Sequence, residues 1–299
     1  MTTRRSRKEW QAAHGVFALA KNVNAPNTPY RPLLTDAARP STFEVQAVDE
    51  HGEARAVPVA GEHPLTIYVD KQELITLMTL GAAPEALAIG YLRTQRLVAS
   101  IDDVVAVQVD WETNSCAIKT RTGMVDIEGK TARRTKTSGC GQGTMFGDLM
   151  EEIDDVRLPP GATLSRATLY DLLDRVRLHE TIYKQAGAVH GCALATNGPS
   201  ESAIIMFVED VGRHNAVDAI AGRMWLDRLD GADKIFYTTG RLTSEMVIKA
   251  AQMGIPFLVS RSGLTQMGHE IAEKVGITMI GRATNRHYLL FTGAHRFKA

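Results

Sequence analysis

The sequence has few cysteines, no excess of charge of either sign and no long apolar run. Its 299 residues include three cysteines, and 34 basic side chains balance 34 acidic ones. Three cysteines cannot form a disulfide framework, and zero net charge argues against a nucleic-acid carrier or a protein held on a membrane by bulk electrostatics. No stretch approaches the ~20 apolar residues of a membrane span, and the segment after Arg4–Lys8 is too polar for a secretory signal. We therefore expect a cytoplasmic protein without nucleic-acid or membrane partners.

The distribution of apolar residues predicts three parts. Residues 1–41 contain prolines without sustained periodicity, which is typical of an irregular or flexible tail. Residues 42–158 are β-rich with one clear helix, at Pro84–Leu92. Residues 159–299 follow the linker Leu158–Gly161 and alternate strands with helices, which predicts βαβ crossovers and a largely parallel sheet. The expected fold class is therefore α/β, or α+β over the whole chain, with a smaller β-rich N-terminal domain.

Hydrophobic periodicity places the individual elements. In the first 158 residues it predicts strands at Phe43–Val48, Leu65–Val69, Val104–Val109 and Ser115–Thr120, and a short helix at Asp148–Ile153. After residue 158 it predicts a hairpin of Ala188–Ala195 with Ala203–Glu209, strands at Lys234–Thr238, Pro256–Ser260, Thr278–Ile280 and Tyr288–Phe291, and helices at Ala216–Leu229, Thr243–Met253 and Leu264–Val275.

Cys140 is the cysteine whose surroundings favour reactivity. It lies in the glycine-rich segment Ser138–Thr144, with Arg133, Arg134 and Lys136 upstream. Nearby positive charge stabilises a thiolate, and a thiolate on a flexible loop suits a covalent carrier. The alternative is an ordinary loop cysteine. Cys116 lies in an alternating strand and Cys192 in an apolar run, so both are expected to be packing residues.

Three polar turns follow three successive predicted strands. Since strand ends opening into helices bind anionic ligands in α/β sheets, we expect one rim that binds a phosphate-bearing ligand. Its candidate residues are Gly212, Arg213, His214, Asn215, Gly240, Arg241, Ser244, Ser262 and Thr265. The alternative for the first turn is a helix capped by Asn215, with solvated charges around it. His190 is equally compatible with a core position and with the cleft.

Several motifs are missing from the sequence. It has no dinucleotide-binding glycine fingerprint and no Walker loop. His190 is followed by Gly191 and Cys192, so the H-x-E element of the zinc deaminases is absent, as is their P-C-x-x-C element. We therefore expect no metal-hydrolysis site and no metal ligands.

The combination of motifs resembles the FdhD/NarQ family of formate dehydrogenase accessory sulfurtransferases. The resemblance runs from about Phe43 to the end of the chain. It rests on PLTIYV, the helix EALAIGYL, the Cys-Gly loop, EDVGRHNAVD, TTGRLTSEMV, GIPFLVSRSGLT and GRATNRHYLLFT.

The resemblance implies a sulfur carrier with a cytidine-deaminase-like, three-layer C-terminal domain. Such a protein would accept sulfur from a cysteine desulfurase as a persulfide on Cys140. It would pass this sulfur to the molybdenum or tungsten bis-guanine-dinucleotide cofactor of the formate dehydrogenase catalytic subunit. It would also form a homodimer and bind GDP as a mimic of the cofactor. The resemblance adds six cofactor-binding positions to the rim: Arg282, Ala283, Thr284, Asn285, Arg286 and His287.

The sequence departs from the family pattern in two segments. Gly143 stands where the family loop usually has a second cysteine, so Cys140 cannot form an internal disulfide there. Arg282, Asn285 and Arg286 stand where the family usually has an aromatic residue and glycines. A second hypothesis is therefore a cofactor-binding chaperone that does not use Cys140. A third is a nucleotide-dependent hydrolase, for which His190, Glu209 and His214 are the candidate bases.

Overall fold

The computed structural model describes residues 30–124, 135–136, 143–144, 153, 156–179 and 181–299. By its internal contacts, Pro32–Ala299 forms one compact unit. The mixed α/β class predicted from the sequence is confirmed. The predicted division at residues 41/42 and 158/159 stays a prediction. No helix in the described ranges is long and apolar enough to cross a membrane.

The N-terminal part of the compact unit is a five-stranded sheet with one helix against it and a separate hairpin. Its elements are β1 (Leu33–Leu34), β2 (Thr42–Val48), β3 (Ala54–Ala60), β4 (His63–Val69), β5 (Gln72–Thr79), α1 (Pro84–Thr94), β6 (Val104–Asp110) and β7 (Ser115–Thr120). The sheet has the order β1-β6-β7-β4-β5, and β2 pairs only with β3. In β4, Leu65, Ile67 and Val69 are fully buried and alternate with partly exposed residues, as the period of a strand requires.

Two short strands follow in the chain, β8 (Thr135–Lys136) and β9 (Gly143–Thr144). They pair antiparallel, with Thr135 opposite Thr144 and Lys136 opposite Gly143. Cys140 lies between them in sequence and is outside the described residues, as is most of the helix predicted at Asp148–Ile153. The paired strands therefore bracket the predicted sulfur-carrying segment.

The C-terminal part is built on a six-stranded sheet. Its elements are β10 (Leu164–Ser165), α2 (Arg166–Leu178), α3 (Ile182–Ala186), β11 (His190–Thr196), β12 (Ile204–Asp210), α4 (Arg213–Leu226), β13 (Lys234–Thr238), α5 (Ser244–Gln252), β14 (Phe257–Ser260), α6 (Gln266–Val275), β15 (Thr278–Thr284), β16 (His287–Leu290) and β17 (Phe297–Lys298). The strand order is β12-β11-β13-β14-β15-β16, and β10 pairs with β17.

The expectation of a largely parallel sheet is wrong. Only β13–β14 and β14–β15 pair in parallel. The helix α4 also crosses over, from β12 to β13, but β11 lies between these two strands and is antiparallel to both. The predicted hairpin β11–β12 is confirmed, and β11 also runs antiparallel to β13. A tight turn brings β16 back antiparallel to β15. The sheet is therefore mixed.

Helices cover both faces of this sheet. One core joins α4, α5 and α6 to one face through residues such as Leu194, Phe236 and Leu258. A second core joins α2 to the opposite face of the sheet. It contains strand residues such as Ala193 and Tyr237, which are adjacent in sequence to Leu194 and Phe236 of the first core. Because neighbouring strand residues alternate between the two cores, this part has three layers, with the sheet in the middle.

The helices α1 and α4 connect the two parts through a very close crossing. A Cβ atom on Gly90 of α1 would lie 1.7 Å from the carbonyl oxygen of Asp218 in α4. A Cβ atom on Gly222 of α4 would lie 1.9 Å from the carbonyl oxygen of Ala86 in α1. Both distances are far below van der Waals contact, so this crossing requires glycine at both positions.

Candidate functional site

The predicted rim lies along one edge of the six-stranded sheet. Cys192 of β11 is opposite Thr238 of β13, which in turn is opposite Ser260 of β14. Because β11 runs antiparallel to β13, its first residue, His190, lies at the edge where β13 and β14 end. His190 is also opposite Asp210, the last residue of β12. The turns after β12, β13 and β14 therefore meet at one edge, as expected from the sequence.

Hydrogen bonds hold the turns after β13 and β14 together. Ser260 Oγ donates to the carbonyl of Gly240 over 2.7 Å and accepts from the amide of Ser262 over 2.9 Å. The amide of Thr265 donates to the carbonyl of Leu242 over 3.1 Å. The predicted residues Gly240, Ser262 and Thr265 are thus part of one connected backbone arrangement. Ser244 is the first residue of α5, directly behind it.

Arg213 packs across the turn after β13. A Cβ atom on Gly240 would lie 2.9 Å from Cδ of Arg213, so the absence of a side chain at Gly240 makes room for this arginine. Arg213, His214 and Asn215 are only 5%, 2% and 1% exposed. The alternative of solvated charges around this helix start is therefore wrong.

Asp210 and Asn215 fix the start of α4 against the N-terminal sheet. The carboxylate of Asp210 accepts hydrogen bonds from Thr79 Oγ1, the amide of Leu80, the amide of Gly212 and Nδ2 of Asn215, all within 2.5–3.0 Å. Asn215 Nδ2 also donates to a carbonyl of β5. Gly212 is the N-cap of α4, so the alternative that Asn215 caps the helix is wrong. The side-chain amide of Asn215 instead joins α4 to β5.

A buried chain of ionisable groups runs from this edge into the interior. Nε2 of His214 lies 3.3 Å from Oε2 of Glu245, and Oε1 of Glu245 lies 3.6 Å from Nζ of Lys249. Burial lowers the pKa of His214 to about 4, although the charge of Glu245 opposes this effect. Burial alone would lower the pKa of Lys249, but the carboxylates of Asp218 and Glu245 raise it. His214 is therefore neutral at pH 7, while Lys249 keeps its charge.

Three arginines place positive charge around His190. Burial lowers the pKa of His190 below its ordinary value, and the charges of Arg213, Arg261 and Arg241 lower it further. Arg261 directly follows β14, and Arg241 lies three residues after the end of β13. Both are exposed, whereas Arg213 is buried. Arg261 was not among the candidate rim residues, although it lies in the third of the polar turns. The feature that distinguishes it is its position immediately after the buried strand β14. Together, these arginines make the edge suitable for binding an anion.

A pocket of about 260 Å³ adjoins this edge on the α2 face of the sheet. Val189, Phe207 and Tyr237 contribute to its apolar wall. Its polar lining includes Thr239, Arg261, Thr284 and Asn285. This combination of an apolar wall and a few polar groups is typical of a small-molecule pocket.

The helix α3 closes one side of the pocket. Both carboxylate oxygens of Glu209 accept hydrogen bonds from backbone amides at the start of α3, those of Ile182 and Tyr183, over 2.5 and 3.1 Å. The guanidinium of Arg261 lies 5.1 Å from the ring centroid of Tyr183. Glu209 therefore positions this helix. Neither α3 nor these contacts were predicted from the sequence.

The predicted stretch Arg282–His287 divides into two sets. Ala283, Thr284 and Asn285 line the pocket. Arg282 and His287 are exposed and outside the lining. Arg286 donates to Asp174 over 2.8 Å, and its guanidinium lies 4.8 Å from the ring centroid of Tyr170. The stretch forms the end of β15, a turn and the start of β16, so neighbouring residues face different surroundings.

Two of the three cysteines are unsuited to sulfur chemistry. Cys116 and Cys192 are both fully buried, as expected for packing residues. Burial raises the pKa of Cys116 well above its ordinary value and that of Cys192 to about 12. Since the thiolate is the nucleophile, neither side chain is reactive at neutral pH. Within the described part of the chain, no cluster of side chains could hold a metal ion.

The C-terminal part is thus a three-layer α/β fold with a cationic edge and an adjoining pocket. The model of the FdhD/NarQ family matches residues 60–298. The chain belongs to this family.

Three curated proteins that are similar to this chain are each called sulfur carrier protein FdhD. The relative from Wolinella succinogenes is 27% identical over 241 residues, which cover 80% of this chain and 82% of the relative. The one from Listeria monocytogenes serotype 4b is 29% identical over 240 residues, covering 80% and 90%. The one from Halalkalibacterium halodurans is 28% identical over 270 residues, covering 88% and 97%.

A solved structure shares the fold. It is a crystal structure from Desulfotalea psychrophila, described as that of a candidate formate dehydrogenase accessory protein. The TM-score is 0.69 with 24% sequence identity, and the match covers 86% of this chain and 100% of that one.

Proposed function

We propose that this protein is a sulfur carrier required for formate dehydrogenase activity. It accepts sulfur from a cysteine desulfurase on Cys140 and transfers it to the molybdenum or tungsten bis-guanine-dinucleotide cofactor. Membership of the family and the shared name of its curated relatives support this function. The observation that carries the choice of Cys140 is the burial of both other cysteines, which leaves one thiol for the chemistry.

The loading step needs no redox partner. The thiolate of Cys140 attacks the outer sulfur of a persulfide on the donor, and the sulfur–sulfur bond of the donor breaks. The donor cysteine leaves as a thiolate, and Cys140 now carries the persulfide. The numbers of atoms and electrons are unchanged. Gly143 leaves Cys140 without a neighbouring thiol, so the persulfide cannot collapse into a disulfide within this loop.

The cationic edge would hold the pyrophosphate groups of the cofactor. Arg241 and Arg261 are exposed and can form charge-assisted hydrogen bonds with phosphate oxygens, and buried Arg213 adds its positive charge to the same edge. The adjoining pocket, at about 260 Å³, is slightly below the size range of ligand pockets, roughly 300–1,000 Å³. It therefore suits one nucleoside-sized part of the cofactor rather than the whole molecule.

The experiment is intact-mass analysis after incubation with a cysteine desulfurase and cysteine. The wild-type protein should gain sulfur, and Cys140→Ala should gain none. Cys116→Ala and Cys192→Ala are the matched controls, and both should still gain sulfur if they fold. A wild-type protein that never gains sulfur would overturn the sulfur-carrier function and leave the cofactor-binding chaperone as the next hypothesis.

A further inference from the structure

His190 occupies the centre of the cationic edge, yet the sequence did not place it in the ligand site. The amide of Gly191 donates to Oγ1 of Thr239, and the amide of Thr239 donates to the carbonyl of Gly191. These two bonds fix the start of β11 beside the turn that carries Gly240 and Arg241. His190 itself is only half-buried, so a ligand at this edge can reach its imidazole.

The groups that surround His190 are mostly cationic. They are Asp210 at the end of β12, Arg213 and His214 on α4, Arg241 after β13 and Arg261 after β14. The carboxylate of Asp210 already accepts four hydrogen bonds. His214 is neutral at this edge, because its pKa is lowered to about 4. The three arginines therefore dominate the electrostatic field at the imidazole.

A bound pyrophosphate would oppose the positive electrostatic field at His190. Its negative charges would offset those of the arginines, and a protonated imidazole could donate a further hydrogen bond to a phosphate oxygen. We propose that His190 is a further ligand-binding residue of this site and takes up a proton when a pyrophosphate diester binds. This inference rests on the proposed function, since it takes the cofactor's pyrophosphate as the ligand.

The coupling has a defined sign. Between the pKa of His190 in the free protein and its higher pKa in the complex, binding takes up a proton. The affinity for the pyrophosphate ligand therefore rises as the pH falls through this window. Above the window, His190 is neutral in both states, and its protonation does not affect the affinity. A rise of one pKa unit would make binding about tenfold tighter at the acidic end than at the alkaline end.

The test is isothermal titration calorimetry near the ordinary histidine pKa of about 6.5, in buffers with different ionisation enthalpies. The probe is GDP-mannose, because its pyrophosphate is a diester and does not titrate in this range. GDP itself has a terminal phosphate with a pKa of about 6, which would obscure the signal. The dependence of the binding heat on the buffer gives the number of protons taken up.

We expect the wild type to take up a substantial fraction of one proton, and His190→Asn to bind more weakly without this uptake. His51→Asn is the matched control, because His51 is an exposed histidine beside Glu50 in a hairpin turn, and it should behave as wild type. If His190→Asn does not fold, His190→Gln replaces it.

Binding by the wild type without proton uptake would overturn the role of His190 and leave the proposed function intact. Proton uptake that persists in a folded His190 variant would also overturn the role of His190 and leave the proposed function intact. Absence of binding by both GDP-mannose and GDP would contradict the nucleotide site itself, and with it both proposals.

Discussion

Nζ of Lys249 lies 2.8 Å from both carboxylate oxygens of Asp218, and both side chains are almost completely buried. Oδ1 of Asp218 also accepts a hydrogen bond from Thr94 of α1 over 2.7 Å. The pair therefore joins three helices, α1, α4 and α5. It continues through Glu245 to His214 at the cationic edge. An interior ion pair of this kind is sensitive to the loss of one partner.

Replacing Lys249 with methionine should destabilise the protein by about 3–5 kcal/mol, because Asp218 would remain as a buried carboxylate without its cation. Urea unfolding measures the loss. Lys119→Met is the matched control: Lys119 pairs with Asp70 at the surface, with 62% of its side chain exposed, and should cost about 1 kcal/mol or less. Adding Asp218→Asn to Lys249→Met should recover part of the loss. Equal losses in the two lysine variants would contradict the role of the buried pair.

Gly222→Ala should prevent the close crossing of α1 and α4. Its Cβ would lie 1.9 Å from a backbone carbonyl oxygen of α1, and no side-chain rotation can relieve this overlap. We expect a loss of about 3 kcal/mol or more in thermal or urea unfolding, or no folded protein. Gly161→Ala is the control, since a Cβ there meets no atom within 4 Å. A Gly222→Ala variant as stable as this control would show that the helices can separate freely.

The neutral, buried His214 predicts a loss of stability in acid. Its pKa is about 4 in the folded protein and about 6.5 in the unfolded chain, so the unfolded chain binds the extra proton between these values. Its contribution is fully present above pH 6.5 and is lost as the pH falls toward 4, by about 3 kcal/mol. Unfolding free energies of wild type and His214→Gln at neutral and acidic pH measure this. The variant should lose less stability on acidification, and an equal loss would refute the assignment.

Arg241→Ala should weaken the binding of GDP at least about tenfold, because a charge-assisted hydrogen bond is worth about 1.5–3 kcal/mol. Its stability should change little, since Arg241 is exposed. Arg228→Ala is the control, because Arg228 is an arginine that pairs with Asp102 in another part of the structure. Calorimetry or fluorescence titration gives the two affinities. Equal affinities in Arg241→Ala and Arg228→Ala would remove the turn after β13 from the ligand site.

The elements with strong periodicity could be predicted from the sequence. Lys234–Thr238 is a strand with the predicted bounds. The helix α1 begins at Pro84, as predicted from the proline there. The helix α2 was missed, since its buried residues form a narrow apolar stripe among arginines and aspartates. The short strand β3 was missed because most of its residues are exposed.

The candidate site could be predicted at the level of loops but not of individual contacts. The glycines and arginines of the turns indicated that three strand ends share one edge, and the structure brings these turns together there. The position of Arg286 against Asp174 and Tyr170 depends on packing between α2 and the β15–β16 turn, which are far apart in the sequence. The burial of Arg213 and His214 likewise depends on α5 and on the turn after β13, so local polarity suggested the opposite.

The crossing of α1 and α4 has a consequence for any attempt to produce the two parts separately. A fragment that ends before β10 would lose the partner of the glycine-lined surface of α1, together with the carboxylate that Thr94 binds. A fragment that begins there would expose Ala219 and Leu226 of α4, which are buried in the core of the N-terminal sheet. Each fragment should therefore aggregate when expressed alone, and the two together should assemble as a split protein.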